Sequence, residues 1–285
     1  MEDLHIIRKK LENYKKIKQI TEAAKLAAVS NFSITSQKLE KLQKTASESL
    51  NLMKNISAQI KEEAVVDKNA EKNLLIIIGS QKEIQAHFFS NLKKMIAKQF
   101  DTASSSPLDI YCVGKGFDKI VQLEKASFEL VKHSKNLSYK KVGEVTQELS
   151  DFIRDHGFKY KRCFVANMSF KSFFIQEPKI SIISPLSEVS GLSNVESSSL
   201  DVNYLLEFNP IKMRALIEQK TLTLMFALEV YNAITAENAA NFMIMNKAAT
   251  NSDNLITETT LKKNKIRQIL ITKQILEITT YVDAE

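Results

Sequence analysis

The sequence predicts an α+β protein: a long antiparallel coiled coil of the N- and C-terminal helices plus a small α/β domain. Three observations carry this reading. All six Gly and all four Pro of the 285 residues lie between Gly79 and Pro210, so Met1 to Ile78 and Ile211 to Glu285 hold no helix breaker. Both of those ends place apolar residues at steps of three and four. The middle alternates short apolar runs with amphipathic stretches, the signature of an α/β layer. An uninterrupted helix from Met1 to about Ala64 would measure roughly 90 Å at 1.5 Å per residue, too long to bury in a compact domain of this size. The two ends are therefore expected to lie along each other. The resulting division is 1–71 for the N-terminal coiled-coil helix, 72–205 for the α/β domain and 206–285 for the C-terminal coiled-coil helix.

In the first helix Leu4, Ile7, Leu11 and Tyr14 follow heptad spacing. The stripe then moves to Ile17, Ile20, Ala24 and Ala27, and two successive steps of three predict a stammer that overwinds the coil locally. Ala23, Ala24, Ala27 and Ala28 would let another backbone come close or a sleeve pass around the helix. Leu39, Leu42, Ala46, Met53, Ile56 and Ile60 resume the heptad, with Ser49 as a polar gap.

The middle segment begins with a short buried strand, Leu74 to Gly79, followed by a helix over Lys82 to Phe100 through Ile84, Phe88, Leu92 and Ile96. Asp101 to Pro107 reads as a Ser-rich turn and Leu108 to Val113 as a second strand. Phe117 to His133 is expected to be mostly helix, and Lys140 to Asp155 another helix through Val142, Val145, Leu149 and Phe152. Arg162 to Phe170 and Phe173 to Ser184 resemble two strands joined by a turn, with Pro178 placing the second at a sheet edge. Gly191 to Ser199 is a polar linker. Strands and helices in this order suit a Rossmann-like layer. After Pro210 the last helix carries Leu224, Leu228, Tyr231, Phe242, Met245 and Ala249, with Thr235 and Asn238 in the same phase, and resumes through Ile266, Ile269, Leu270 and Leu276. Polar residues on a seam lower stability and fix register.

The net charge of +7 comes from Lys excess, densest at Arg8, Lys9, Lys10, Lys15, Lys16 and Lys18 against Glu12. Such a face suits an acidic protein partner, nucleic acid or an anionic membrane surface, and equally a solvated helix face. Glu2, Asp3 and His5 stand where a signal peptide needs a basic start, so export is not expected. No apolar run is longer than that of Leu74 to Ile78, too short to span a bilayer, which leaves peripheral association only.

Catalytic, cofactor and metal signals are absent from the pattern. Gly114-Lys115-Gly116 is a Gly-rich site after a strand, but it is not a phosphate-loop motif, and a strand-to-helix turn equally favours glycine there. His5, His87, His133 and His156 are scattered, and Cys112 and Cys163 sit alone in predicted strands, as buried reduced thiols do. No Gly-x-Ser-x-Gly elbow occurs, and Asp151 with Asp155 reads as a solvated face.

The two ends resemble the gamma subunit family of the rotary ATP synthase. Ile7-Arg8, Lys10, Gln19-Ile20-Thr21, Ala23, Ala27-Ala28 and Ser30 stand at the family's N-terminal spacing. Ala236-Glu237-Asn238-Ala239-Ala240, Met245, Ala248, Asn251 and Leu255-Ile256 look like its C-terminal stretch. Asn264-Lys265-Ile266-Arg267-Gln268, Ile271-Thr272-Lys273 and Glu277-Ile278 are similar to its closing signature. The likeness is strong over Leu4 to Phe32 and Ser199 to Ile278. It departs at Gly79 to His87, which replaces a Gly-rich loop, and at Ala24, Asn31 and Gln274.

The resemblance implies a non-catalytic central-stalk rotor that couples proton flow through a membrane c-ring to ATP synthesis or hydrolysis on a hexameric ring of alpha and beta subunits. It implies an epsilon-type partner as well, no cofactor, no nucleic acid, and a place on the cytoplasmic face of a bacterial inner membrane or the equivalent organellar face. The subunit contacts it implies are Arg267, Gln268 and Thr272 on loops of the beta subunits, Arg8 and Lys9 on acidic beta loops, and Ile20, Thr21 and Ala24 at mid-height. A coiled-coil scaffold or a nucleic-acid-binding helical hairpin are the alternatives. Tyr14 as the only aromatic and Arg8 as the only Arg in the basic cluster speak against the second.

Overall fold

The computed structural model of the protein describes residues 4–59, 72–80, 86–100, 107–115, 128–134, 137–186 and 210–282. In chain order its elements are α1 (Leu4–Gln59), β1 (Lys72–Ile78), α2 (Ala86–Phe100), β2 (Leu108–Val113), β3 (Phe128–Ser134), α3 (Val142–His156), β4 (Tyr160–Phe170), β5 (Gln176–Ser184) and α4 (Pro210–Val282). A short 3-10 turn, Gly157–Lys159, links α3 to β4. The expected turn at Asp101 to Ser106, the start of the helix at Lys82 and the linker at Gly191 to Ser199 lie outside the described residues. The chain forms two compact units. One comprises Asn31–Asn238, the other Met1–Ser30 with Ala239–Glu285.

The larger unit is built on a five-stranded sheet of order β3-β2-β1-β4-β5. The strands β1, β2, β3 and β4 run parallel and β5 returns antiparallel to β4. A strand covered on both faces reads as a continuous apolar run, and Leu74 to Ile78 is buried throughout. Leu74, Ile76, Tyr111, Val113, Cys163 and Val165 face a core shared with Leu39, Ala46, Leu149, Phe226 and Ile234. Leu75, Ile77, Ile110, Phe164 and Met168 face α2 through Leu92, Ile96 and Phe100. Pro178 costs no ladder bond because β5 is an edge strand.

The helix expected over Phe117 to His133 is replaced by strand at its C-terminal end, Phe128 to His133. Phe128–Ser134 is strand β3, paired in register with Leu108–Val113. As an edge strand it leaves Leu130 and Val131 exposed, so no clean alternation marks it. Phe128 and Val131 stand three apart and imitate a helical step. Residues 117–127 lie outside the described part.

Within the same unit α1 packs on α4. Lys38 Nζ lies 5.7 Å from the Tyr231 ring centre, and Ser49 Oγ lies 2.7 Å from Thr221 Oγ1. Passing from Lys38 forward to Ser49 passes from Tyr231 back to Thr221, so the helices are antiparallel here. Thr35, Leu39, Leu42, Ala46, Ser49, Met53 and Ile56 make the α1 seam.

Candidate functional site

In the smaller unit the α1 seam runs through Ile7, Leu11, Tyr14, Lys18, Thr21, Lys25 and Ala28, in unbroken steps of four and three. This overturns the expected stammer. Ile17 and Ile20 are off the seam, Ile20 being 68% exposed, and polar residues take the inward positions. They are tolerated because their polar atoms are satisfied: Lys18 Nζ meets Asp253 Oδ1 at 2.6 Å, and the Thr21 hydroxyl donates to the Lys18 carbonyl at 2.8 Å. The hydrogen bond to Asp253 is the main cause that raises the Lys18 pKa.

On α4 the facing seam is Phe242, Met245, Ala249, Ser252, Ile256, Thr259, Lys263 and Ile266. Leu4, where α1 begins, precedes Lys18 by as many residues as Arg267 follows Asp253. From Arg267 to Thr279 every side chain is exposed. In an antiparallel pair this stretch lies beyond the level of Leu4, the first described residue of α1. The exposed stretch is apolar on several sides at once, with Ile269, Leu270, Ile271, Ile275 and Ile278 all at least 39% exposed. A solvated helix end has no use for so much apolar surface.

The residues singled out from sequence fall as follows. Arg267, Gln268 and Thr272 are all exposed on this end of α4. Gln268, Thr272, Ile275 and Thr279 follow one another at helical spacing on one stripe. The Thr272 hydroxyl donates to the Gln268 carbonyl at 3.0 Å, so toward a partner it offers an acceptor. Arg8 and Lys9 are exposed on α1 beside the seam residue Ile7. Ala24 is half-buried, while Thr21 faces inward with its hydroxyl bonded within its own helix.

The Gly-rich turn of the other unit is spoken for. Gly114 has φ of 94° and ends β2, its N–H donating to Ser134 O at 2.7 Å. Lys115 N donates to Ser80 O at 2.8 Å and Ser80 N to Lys115 O at 3.3 Å. Those N–H groups are therefore not aimed at a phosphate. His133 Nε2 lies 2.9 Å from Gly114 O, and since a carbonyl only accepts, this nitrogen carries the proton. Cys112 and Cys163 are buried free thiols, and burial pushes Cys163 up to about 12. Among the described residues no group of three or more His, Cys, Asp or Glu is arranged to hold a metal, and no helix is long and apolar enough to cross a membrane.

The sequence reading missed two buried carboxylates on α4. Glu229 and Glu237 are 2% and 4% exposed. Glu229 interrupts the apolar run Met225 to Tyr231, and a lone charge in such a run was the available signal.

A Rossmann-like sheet packed against paired α1 and α4 in one unit, and a helix pair with apolar surface left outward in the other, define the class: a two-helix coiled coil with an α/β domain. A family model described as ATP synthase matches residues 3–284. The ATP synthase gamma chain of Christiangramia forsetii is 24% identical over 98% of this chain and 97% of its own length. That of Pelagibacter ubique is 25% identical, covering 98% of each. A chain in the cryo-EM structure of Euglena gracilis mitochondrial ATP synthase (OSCP/F1/c-ring, rotational state 3) is similar at a TM-score of 0.59 and 14% identity, over 99% of this chain and 94% of that one. The chain belongs to the ATP synthase gamma family, the central stalk of the rotary enzyme and not its catalytic subunit.

Proposed function

We propose that this chain turns as the rotor inside a ring of alpha and beta subunits, with its α/β domain against an epsilon-type subunit and a membrane c-ring. It would do no chemistry of its own, and would work on the cytoplasmic face of a bacterial inner membrane or the equivalent organellar face. In this division of labour residues 1–71 and 206–285 form the shaft and 72–205 the base. The observation that carries the reading is the exposed apolar run from Ile269 to Ile278 on α4, which calls for an enclosing sleeve.

Two unlike helices have no threefold symmetry, so each rotor angle presents a different surface to each of three catalytic sites. Coupling then requires only that the contact free energy differ between the conformations of those sites. Arg267 offers a rigid donor fork to carboxylates, and Gln268 both donates and accepts. Thr272 adds an acceptor one turn on. Arg8 and Lys9 suit acidic loops, Ile20 and Ala24 suit close passage, and Thr21 lies on the inward seam between them with its hydroxyl bonded within α1.

Purification of the tagged chain from its own cell tests this. Nucleotide-binding alpha and beta subunits are expected to come down with it. RNA, or a scaffold partner in their place, would refute the assignment.

A further inference from the structure

The geometry points to Glu229, Asn232 and Glu237 as positioning residues that lock α4 to the sheet against sliding and twisting, so that torque passes between base and shaft. The inference rests on the rotor reading above and adds the residues that carry the load.

From Asn232 to Asn238 every α4 residue is buried. Part of this surface is small, with Ala233 and Ala236. Met225, Phe226, Leu228, Val230 and Ile234 pack α4 into the sheet core, but apolar contact is non-directional and the alanines interdigitate shallowly, so packing alone leaves register and rotation less sharply fixed than directional bonds do. Directional bonds supply what is missing. Asn167 Nδ2 donates to both the backbone carbonyl of Glu229 at 2.9 Å and its Oε2 at 2.8 Å. Lys179 Nζ on β5 reaches Glu229 Oε1 at 3.2 Å. One turn on, Asn232 Oδ1 accepts from Phe170 N at 2.8 Å while its Nδ2 donates to Ser169 Oγ at 3.1 Å. Beyond that, the Ser80 hydroxyl donates to Glu237 Oε1 at 2.6 Å. Ser80, two residues past β1, holds Glu237, the far half of β4 holds both Glu229 and Asn232, and β5 shares the grip on Glu229.

The arrangement is poorly suited to stability alone. Asn167 Oδ1 is buried without a hydrogen-bond partner among the described residues, a desolvation cost that an apolar side chain would not incur. Buried polar groups of this kind are best attested as fixers of register.

The test uses the whole ATP synthase complex in sealed vesicles, comparing protons pumped per ATP hydrolysed. Replacing both partners by apolar groups of similar size, Asn167→Leu with Glu229→Met, leaves no unpaired buried donor and is expected to leave assembly and melting temperature unchanged. It is expected to make uncoupled turnover about tenfold more frequent, the factor that one or two lost hydrogen bonds convert to. Glu229→Gln keeps the bond from Asn167 and is expected to stay coupled. Wild-type pumping by the apolar pair, or a fall in melting temperature matching the loss of pumping, would overturn the inference. A wild-type complex without alpha and beta subunits would instead overturn the rotor reading beneath it.

Discussion

Lys18 Nζ stands 2.6 Å from Asp253 Oδ1 at a seam position where a coiled coil ordinarily places an apolar side chain. The pair ties α1 to α4 in the smaller unit and explains how the heptad continues through a stretch whose isoleucines face outward. A lysine pKa raised in the folded state contributes stability that is complete below the unfolded value of 10.5 and lost as pH rises through the folded one. The contribution of this exposed pair to the pairing of α1 with α4 should therefore hold through neutral pH and fade above 10.5, read by circular dichroism as the difference between wild type and Lys18→Met. Lys18→Met should flatten that alkaline loss, and an unchanged alkaline limb would count against the contact.

Gly114 sits at φ 94°, and a Cβ there would lie 3.0 Å from Ser80 O. Gly114→Ala is expected to cost about 1–2 kcal/mol in denaturant unfolding, the left-handed penalty of an L side chain. Gly79→Ala meets Lys115 O at 2.5 Å and is expected to cost more, because backbone must move to admit the methyl group. Equal stability of both variants with wild type would show that the ends of β1 and β2 are not joined in this way.

Burial holds the Cys163 thiol protonated up to about pH 12, and Cys112 is pushed up in the same direction. Neither should react with a thiol reagent at pH 8 in the native chain, and both should react on denaturation. Above the ordinary thiol value of 9.0 the unfolded chain ionises where the folded one does not, so this term favours unfolding as pH rises. Rapid native labelling of Cys163 would place β4 elsewhere than inside the sheet.

Gln268→Leu removes a donor and an acceptor from the exposed stripe while leaving the α1–α4 seam untouched. Assembly with alpha and beta subunits should persist while proton pumping driven by ATP weakens, by roughly fivefold if the residue contributes a typical net hydrogen bond. Normal pumping would remove Gln268 from the contact set.

Much of this architecture was readable from residue order because local chemistry and tertiary packing agree. Gly and Pro placement bounded α4 at Pro210, and the run Leu74 to Ile78 marked a strand covered on both faces. Reading failed where the two conflict. Ile17 and Ile20 drew the seam toward themselves, though Lys18 and Thr21 occupy it with their polar atoms satisfied. β3, half exposed at an edge, has too little buried surface to impose alternation on its sequence. Glu229 gained its partners from Asn167 and Lys179, which are distant in sequence, so no local pattern announced them.

The most direct test of the account is the accessibility of the end of α4. Cysteine placed at Ile275 or Ile278, 56% and 63% exposed, should be labelled quickly in the isolated chain and protected in the complex with alpha and beta subunits. Equal labelling in the two states would contradict the enclosure of this helix and with it the rotor assignment of the exposed apolar run.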